Sequence, residues 1–501
     1  MMLSCMWPVQ VRMEFLCPRM LVLVFLSVPI VYHIHKRRKE RQALGVQHGC
    51  LPPPLLENPR LFGLDRLEQI FRANAESWLM ELFLFYFRQT GYILEQVCLR
   101  SPAFGTADPA NLEAILSSHF KDFAMGPRRE ITFPMFGDGI FNQKGDPWKQ
   151  SRELLRPQFC VTEYSDINVF KDATNDLLNR LRRAGAKFLI GTSTESLNVP
   201  ELIGEESFAK AFDVAQEQIA KRFRIPGLYW LIDRKKFRDA CKEVHYYADK
   251  IIGRSLAEVC PEFQGNYGFL QTMIEKTPDR TVLRSQIINI LTAGRDTTAC
   301  LLSWTFFLLG RHPKVLVKLR SEIIAQGDIE MSRSSLRSTK YLQNILKETL
   351  RLYPPVPVNT RTALRTTILP TGGGPDRKSP VLVPKGTAVA YSVYTMHRRP
   401  DLYGMGAELF RPERWDEDMP LNHDETNAKW GYLPFNGGPR ICLGRELDFA
   451  LVEAADTIVR IMQTFRIIKL PKGEKLELIG AEKQTITLVM SITEGCKVEL
   501  M

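Results

Sequence analysis

A cysteine stands among glycines, a proline and a cation in Phe435-Asn436-Gly437-Gly438-Pro439-Arg440-Ile441-Cys442-Leu443-Gly444, just ahead of a helix-like run from Glu446 to Phe465. Glycines let backbone N–H groups approach a sulfur. Arg440 and the N-terminus of the following helix add positive potential that lowers a thiol pKa. A sulfur anion so placed can bind haem iron and push electron density toward O–O cleavage. A lone buried cysteine is usually just a small apolar residue, but the local pattern F-x-x-G-x-R-x-C-x-G predicts that Cys442 is a ligand.

A second group of candidates interrupts a long apolar helix predicted over Ser285 to Leu309, where Ala293-Gly294-Arg295-Asp296-Thr297-Thr298 intervenes. Glycine inside a helix costs ~1 kcal/mol relative to alanine, and a charge in an apolar helix is costly unless partnered. A small residue here permits close approach of a flat cofactor. Thr297 could bond a ligand on the iron or bend the helix through its own carbonyls, and Asp296 could relay protons from solvent. A kinked core helix with one paired carboxylate is the bland alternative.

Three further patterns position these groups. Glu348 and Arg351 share a helical face, and Arg414 in Phe410-Arg411-Pro412-Glu413-Arg414-Trp415 offers a third member for a buried ionic network. Asp146-Pro147-Trp148 reads as an N-cap with proline at the first helical position, which sets Trp148 and Arg152 one turn apart on one face, suited to a carboxylate. Gly372-Gly373-Gly374 lacks the Lys-Ser/Thr of a nucleotide loop and reads as a turn. His397 has no second histidine at metal spacing and reads as structural.

The elements around them are mainly helical, as over Val169 to Leu181 and Lys314 to Ile324. Val381-Leu382-Val383, the turn Pro384-Lys385-Gly386 and Thr387 to Tyr391 predict a hairpin, and Thr485 to Ile492 is β-rich. From Phe15 to Ile34 the chain is apolar apart from Arg19 and His33, and the basic block 36–41 follows at once. A span needs ~20 residues, and the basic block belongs on the cytoplasmic side, so an N-terminal transmembrane helix is expected. A cleaved signal would carry its charge ahead of the apolar run. Pro52-Pro53-Pro54 then reads as a stiff spacer.

The net charge of +11 favours an acidic protein or membrane surface. No zinc-finger spacing or basic-aromatic stripe points to nucleic acid. The ten cysteines include no C-x-x-C pair, which fits reduced thiols in a cytosol-facing protein. A hydrophobic share of 45% and a charged share of 25% fit a folded protein.

Together the cysteine loop, the A-G-x-D-T-T helix, the E-x-x-R pair and the P-E-R-W block resemble the cytochrome P-450 superfamily, in that family's order. Gly137-Asp138-Gly139-Ile140-Phe141, the stretch Trp148 to Phe159, Gly372-Gly373-Gly374-Pro375-Asp376 and Tyr391 to Arg399 look most like the fungal alkane and fatty-acid ω-hydroxylase family. The resemblance implies a mainly α fold with small β-sheets, as one haem-thiolate monooxygenase domain over 42–501 behind an anchor over 1–41. It implies haem b with Cys442 as axial ligand, Thr297 and Asp296 in oxygen activation, and Trp148, Arg152, Arg361 and Arg440 on the haem propionates.

The implied partners are an NADPH-cytochrome P-450 reductase, membrane lipid and a lipophilic substrate, in a single-pass endoplasmic reticulum protein whose catalytic domain faces the cytosol. A polyketide or terpenoid of fungal secondary metabolism remains an alternative substrate, and haem-thiolate isomerase or dehydratase an alternative activity. The chain departs from the close relatives at Arg445-Glu446-Leu447-Asp448, where two glutamines and a phenylalanine are usual, and from Ala184 to Asp233, part of the expected substrate roof.

Overall fold

The computed structural model describes residues 42–57, 63–98, 101–160, 168–184, 188–190, 205–257, 273–277, 279–327, 332–473 and 482–501, with Tyr32, His35, Lys36, Lys39, Glu40 and Arg60. The expected anchor lies almost wholly outside these residues. Among the described residues no helix is long and apolar enough to cross a membrane.

Helices carry most of the structure. Those used below are α1 (Leu79–Thr90), α2 (Arg128–Phe136), α3 (Gly145–Cys160), α4 (Asn168–Ala184), α5 (Glu205–Arg224), α6 (Lys235–Ala257), α7 (Arg280–Arg311), α8 (Pro313–Ala325), α9 (Lys340–Leu352) and α10 (Phe449–Thr464). The expected helices over 169–181 and 314–324 are α4 and α8. The 32 residues of α7 span about 48 Å, long enough to cross the domain. Asp279 caps its start, its Oδ1 accepting from the N–H groups of Thr281 (2.8 Å) and Val282 (3.4 Å).

In α9, Leu342, Ile345, Leu346 and Leu350 recur at three and four spacing and are each at most 3% exposed. Each such burial contributes about 1.5–3 kcal/mol. The orphan N–H groups of Tyr341 and Leu342 at its start are met by the Glu322 carboxylate of α8, at 2.9 and 3.2 Å. A tertiary carboxylate therefore does what a local cap would do.

The main sheet uses β1 (Ile93–Cys98), β2 (Ser101–Thr106), β3 (Phe123–Ala124), β4 (Val358–Ala363) and β7 (Ala388–Ser392) in the order β1-β2-β7-β4-β3. β5 (Thr367–Gly373) and β6 (Ser379–Val383) form a separate antiparallel pair. The hairpin expected over 381–391 does not form. Its two strands exist, but β6 pairs with β5, while β7 pairs antiparallel with β4 and parallel with β2. β8 (Gln484–Ile486) and β9 (Met490–Ile492) do make the hairpin of the β-rich C-terminal stretch.

The proline-rich segment is packed onto the sheets instead of acting as a free spacer. Leu51 N–H donates to Pro380 O (2.9 Å), Gly374 N–H to Pro52 O (3.1 Å) and Glu95 N–H to Pro54 O (2.8 Å). That crossing explains the glycine run: a Cβ on Gly373 would collide with the Leu51 carbonyl, and Gly372 has φ +112. The first two glycines end β5, so only Gly374 belongs to the turn. A cavity of about 360 Å³ lies beside this segment, lined by residues such as Cys50, Glu95 and Phe104, and none of the candidate site residues borders it.

Candidate functional site

The cysteine loop is held by its own backbone. Cys442 N–H donates to Phe435 O at 3.0 Å, and Ile441 N–H donates to Gly438 O at 3.0 Å. Gly438 has φ +67, and a Cβ there would strike the Leu116 carbonyl, so the loop needs glycine at that point. Tyr391 of β7 donates to Asn436 Oδ1 at 3.0 Å, tying the loop to the sheet.

Two expectations about this segment change. The helix after the loop begins at Phe449, and a 3-10 turn, Leu443–Asp448, stands between it and Cys442. The thiol is also raised above its ordinary value, because burial outweighs the bonds from the Gly444 and Arg445 backbone N–H groups and the charge of Arg152. Tight-turn amides, not a helix terminus, face the sulfur. Cys442 is nevertheless exposed.

Around it the structure gathers the four predicted partners. Trp148 and Arg152 lie on α3, where Asp146 and Pro147 fall within the first turn of the helix, not ahead of it. Arg152 Nη1 donates to Ile441 O at 2.8 Å, and the Arg440 guanidinium lies 4.3 Å above the Trp148 ring. Arg361 on β4 is buried at 3% exposure and donates to Thr360 O at 2.9 Å.

A fourth cation was not anticipated. Arg128, at the start of α2, donates to Asn359 Oδ1 at 2.6 Å. Its pKa is pushed down to about 9, first by burial and then by Arg361 and Arg440, with Tyr391 acting the other way. Arg440 is pushed down to about 10 by burial, Arg361 and Arg152. Guanidinium groups that depress one another in a desolvated place call for an anion. No sequence spacing connects residue 128 to residue 440, so only the fold makes this cluster visible.

The second group lies on α7, which stays helical through Ala293–Thr298. Thr297 Oγ1 donates to its own helix at Ala293 O, 2.5 Å away. A Cβ placed on Gly294 would meet no atom within 4 Å, so this stretch borders open space. Asp296 is raised above the usual carboxylate range by burial, although Arg295 and Gln216 pull it down. Ile290 and Leu291 share an apolar cluster with Leu443, which brings this part of α7 beside the cysteine loop.

Buried amides that the sequence reading passed over brace the same helix. Gln286 Oε1 accepts from Ile140 N–H (3.1 Å), and Asn289 Oδ1 accepts from Phe141 N–H (3.0 Å). A Cβ on Gly139 would collide with the Asn289 amide, which accounts for the glycine in Gly137-Asp138-Gly139. The available signal was polar side chains in a helix that is otherwise apolar.

Beyond Thr297, Thr298 Oγ1 donates to Glu453 Oε2 of α10 at 3.3 Å. Burial raises Glu453 to about 7 from 4.5, against the pull of the Thr298 bond. The folded state therefore binds this proton more tightly than the unfolded chain does. Its contribution to stability is complete below about 4.5 and is lost as pH rises through about 7. Glu453→Gln should remove that loss, a gain on the order of 2 kcal/mol at about pH 8 relative to about pH 5. Urea unfolding at the two pH values checks this, and a variant as pH-sensitive as the parent would refute it.

The family model for cytochrome P450 matches residues 70–489. The chain belongs to the cytochrome P450 family. This P450 is 40% identical over 513 residues to a cytochrome P450 of Arthroderma benhamiae, covering 96% of this chain and 97% of that one. It is 42% identical over 487 residues to cytochrome P450 52A3-B of Candida maltosa, covering 89% and 90%. Against cytochrome P450 52A13 of Debaryomyces hansenii the identity is 38% over 471 residues, covering 86% and 87%. The fold matches the crystal structure of the cytochrome P450DA heme domain with a TM-score of 0.71 at 19% identity, over 90% of this chain and 97% of that one.

The protein is thus a P450 monooxygenase with haem b as cofactor, and the resemblance read from its motifs holds. Three observations fit that group: the thiol that is accessible yet desolvated, the open space beside Gly294, and the part-buried guanidinium cluster, whose charges an anion would offset.

Proposed function

We propose that this P450 hydroxylates unactivated C–H bonds of a long-chain lipophilic substrate, a fatty acid or alkane, using O₂ and electrons from NADPH delivered by a reductase. Bound at this site, haem b supplies the oxygen-activating chemistry. Cys442 would be its sulfur ligand. Trp148, Arg152, Arg361 and Arg440, joined by Arg128, hold the propionates. The observation carrying this reading is Cys442 itself, accessible and neighboured by the Arg152 guanidinium.

Asp296 and Thr297 handle protons. The Thr297 hydroxyl gives its one proton to Ala293 O, which leaves its oxygen lone pairs to accept from a neighbouring donor. Asp296, raised by burial, releases and regains a proton closer to neutrality than an ordinary carboxylate. Phe136 of α2, Phe212 and Ile219 of α5 and Ile288 of α7 are buried in one apolar core cluster, with Phe141 and Leu488 packed against it. The resemblance to the alkane and fatty-acid ω-hydroxylase family supports an alkyl substrate.

Residues 1–41 are proposed as a single membrane anchor in the endoplasmic reticulum, with the catalytic domain, 42–501, facing the cytosol. Leu44 and Val46, in the helical stretch that follows, are 39% and 70% exposed, as suits a segment next to lipid. The positive net charge suits docking of an acidic reductase.

Microsomes holding the enzyme and a reductase, given fatty acids, alkanes, polyketides and terpenoids, test the substrate by product mass spectrometry. Oxidation confined to the last two classes would sink the proposal. For Thr297→Ala, product formed per NADPH should fall on the order of 10–100-fold, with hydrogen peroxide released instead. Unchanged coupling would remove Thr297 from the proton path.

A further inference from the structure

Helix α5 is bonded directly to the acid of the proton pair. Asp213 and Gln216 stand three residues apart on α5, hence on one face, with Phe212 beside them. Gln216 Nε2 donates to Asp296 Oδ2 at 2.7 Å, and Gln216 is only 4% exposed. Arg295 Nη1 lies 3.1 Å from Asp213 Oδ1 and 3.4 Å from Asp296 Oδ1. The Arg295 guanidinium also covers the Phe212 ring at 5.1 Å.

One oxygen of Asp296 thus faces a donor from α5, and the other faces Arg295 of its own helix, which also meets Asp213 of α5. The amide of Gln216 holds Oδ2 directly, while Arg295, tethered by Asp213, stands at Oδ1. A carboxylate with donors on both oxygens is fixed in rotamer and favoured in its ionised form. The charged groups acting on Asp296 are Arg295 from its own helix and Asp213 from α5. In turn Asp296 helps to raise the thiol of Cys300, one turn along α7, where burial is the larger cause.

We propose that Gln216 is a positioning residue for oxygen activation: its amide clamps Asp296 in the orientation from which the acid exchanges protons toward Thr297. Gln216 and Asp213 both stand on α5, so the hold on Asp296 depends on where that helix packs. This rests on the proton role proposed above for Asp296 and Thr297. It adds a residue far from the A-G-x-D-T-T motif in sequence.

The test compares the full-length parent, Gln216→Leu and Asp296→Asn, each with haem and reductase. In Gln216→Leu, product per NADPH should fall about tenfold, the scale of one lost hydrogen bond to a charged group, while substrate KM stays within about twofold. The second measurement needs no turnover. The infrared band of the protonated Asp296 carboxyl, identified by its loss in Asp296→Asn, should persist to higher pH in Gln216→Leu, because a donor to the ionised form has gone.

A purely structural glutamine would alter stability or KM without moving that band. If coupling and band position both match the parent while Asp296→Asn is uncoupled, the positioning role is overturned and the relay stands. If Asp296→Asn couples normally, the relay and this inference fall together. Gln216→Met, which keeps an unbranched stem and loses the donor, carries the same expectations should the leucine variant fail to fold.

Discussion

Replacing Cys442 with alanine is expected to abolish the thiolate absorption signature of the reduced, CO-treated protein, and monooxygenase activity with it. The fold should survive. Cys442 contributes an accessible side chain, and the loop is closed by backbone bonds, Cys442 N–H to Phe435 O and Ile441 N–H to Gly438 O, that alanine keeps. Unfolding of the haem-free variant should therefore stay within about 0.5 kcal/mol of the parent. The expected pattern is a spectrum lost and a melting curve kept. Survival of the thiolate signature would show that another residue binds the iron.

The second large effect falls on stability. Glu348, Arg351 and Arg414 have side chains with no exposure, and the Glu348 carboxylate takes Arg351 Nε and Nη2 at 2.9 and 2.8 Å and Arg414 Nε at 3.3 Å. Arg411 N–H and Trp415 Nε1 add bonds of 3.0 and 3.1 Å. Burial alone would raise Glu348, but the two arginines and these donors hold it below the usual range. Glu348→Ala strands two buried cations and should cost about 3–5 kcal/mol, against a total stability of about 5–15 kcal/mol.

Little folded protein is expected from that variant, as read by soluble yield and by the urea midpoint. Because the folded-state pKa is depressed, the contribution of Glu348 is present above the unfolded carboxylate range and fades as pH falls through the folded value. A parent-like urea midpoint in Glu348→Ala would contradict the account. The same network reaches His397, whose carbonyl accepts from Arg351 Nη1 at 2.6 Å. The His397 ring bridges Arg351 O (3.1 Å) and Leu433 N–H (2.9 Å), and its pKa is lowered to about 3 by burial and by Arg351. It is the structural histidine its isolation suggested.

Some features were legible because they are local. The loop around Cys442 needs glycine within a few residues of the sulfur, so spacing alone reveals it. Glu348 and Arg351 share a face by helical geometry, and the interruption of α7 stands out against its apolar run. Other features depend on which distant segments meet. β6 and β7 look like a hairpin because they are adjacent and share a turn, yet each gains more from a different sheet. The glycines of 372–374 read as a flexible turn until Leu51 is seen crossing them.

By itself, then, the sequence determined the family and the cofactor and named candidates for the reacting centre, since each of these is written in short-range spacing that the backbone geometry of one loop or one helix enforces. Only the tertiary structure decided that Arg128 joins the guanidinium cluster, that a 3-10 turn and not a helix terminus follows Cys442, and that Gln216 and Asp213 tie α5 to Asp296 and Arg295. The reason is physical: desolvation and charge coupling depend on distance through space, and residues 128, 216, 296 and 440 become neighbours only when the apolar faces of their helices are buried together.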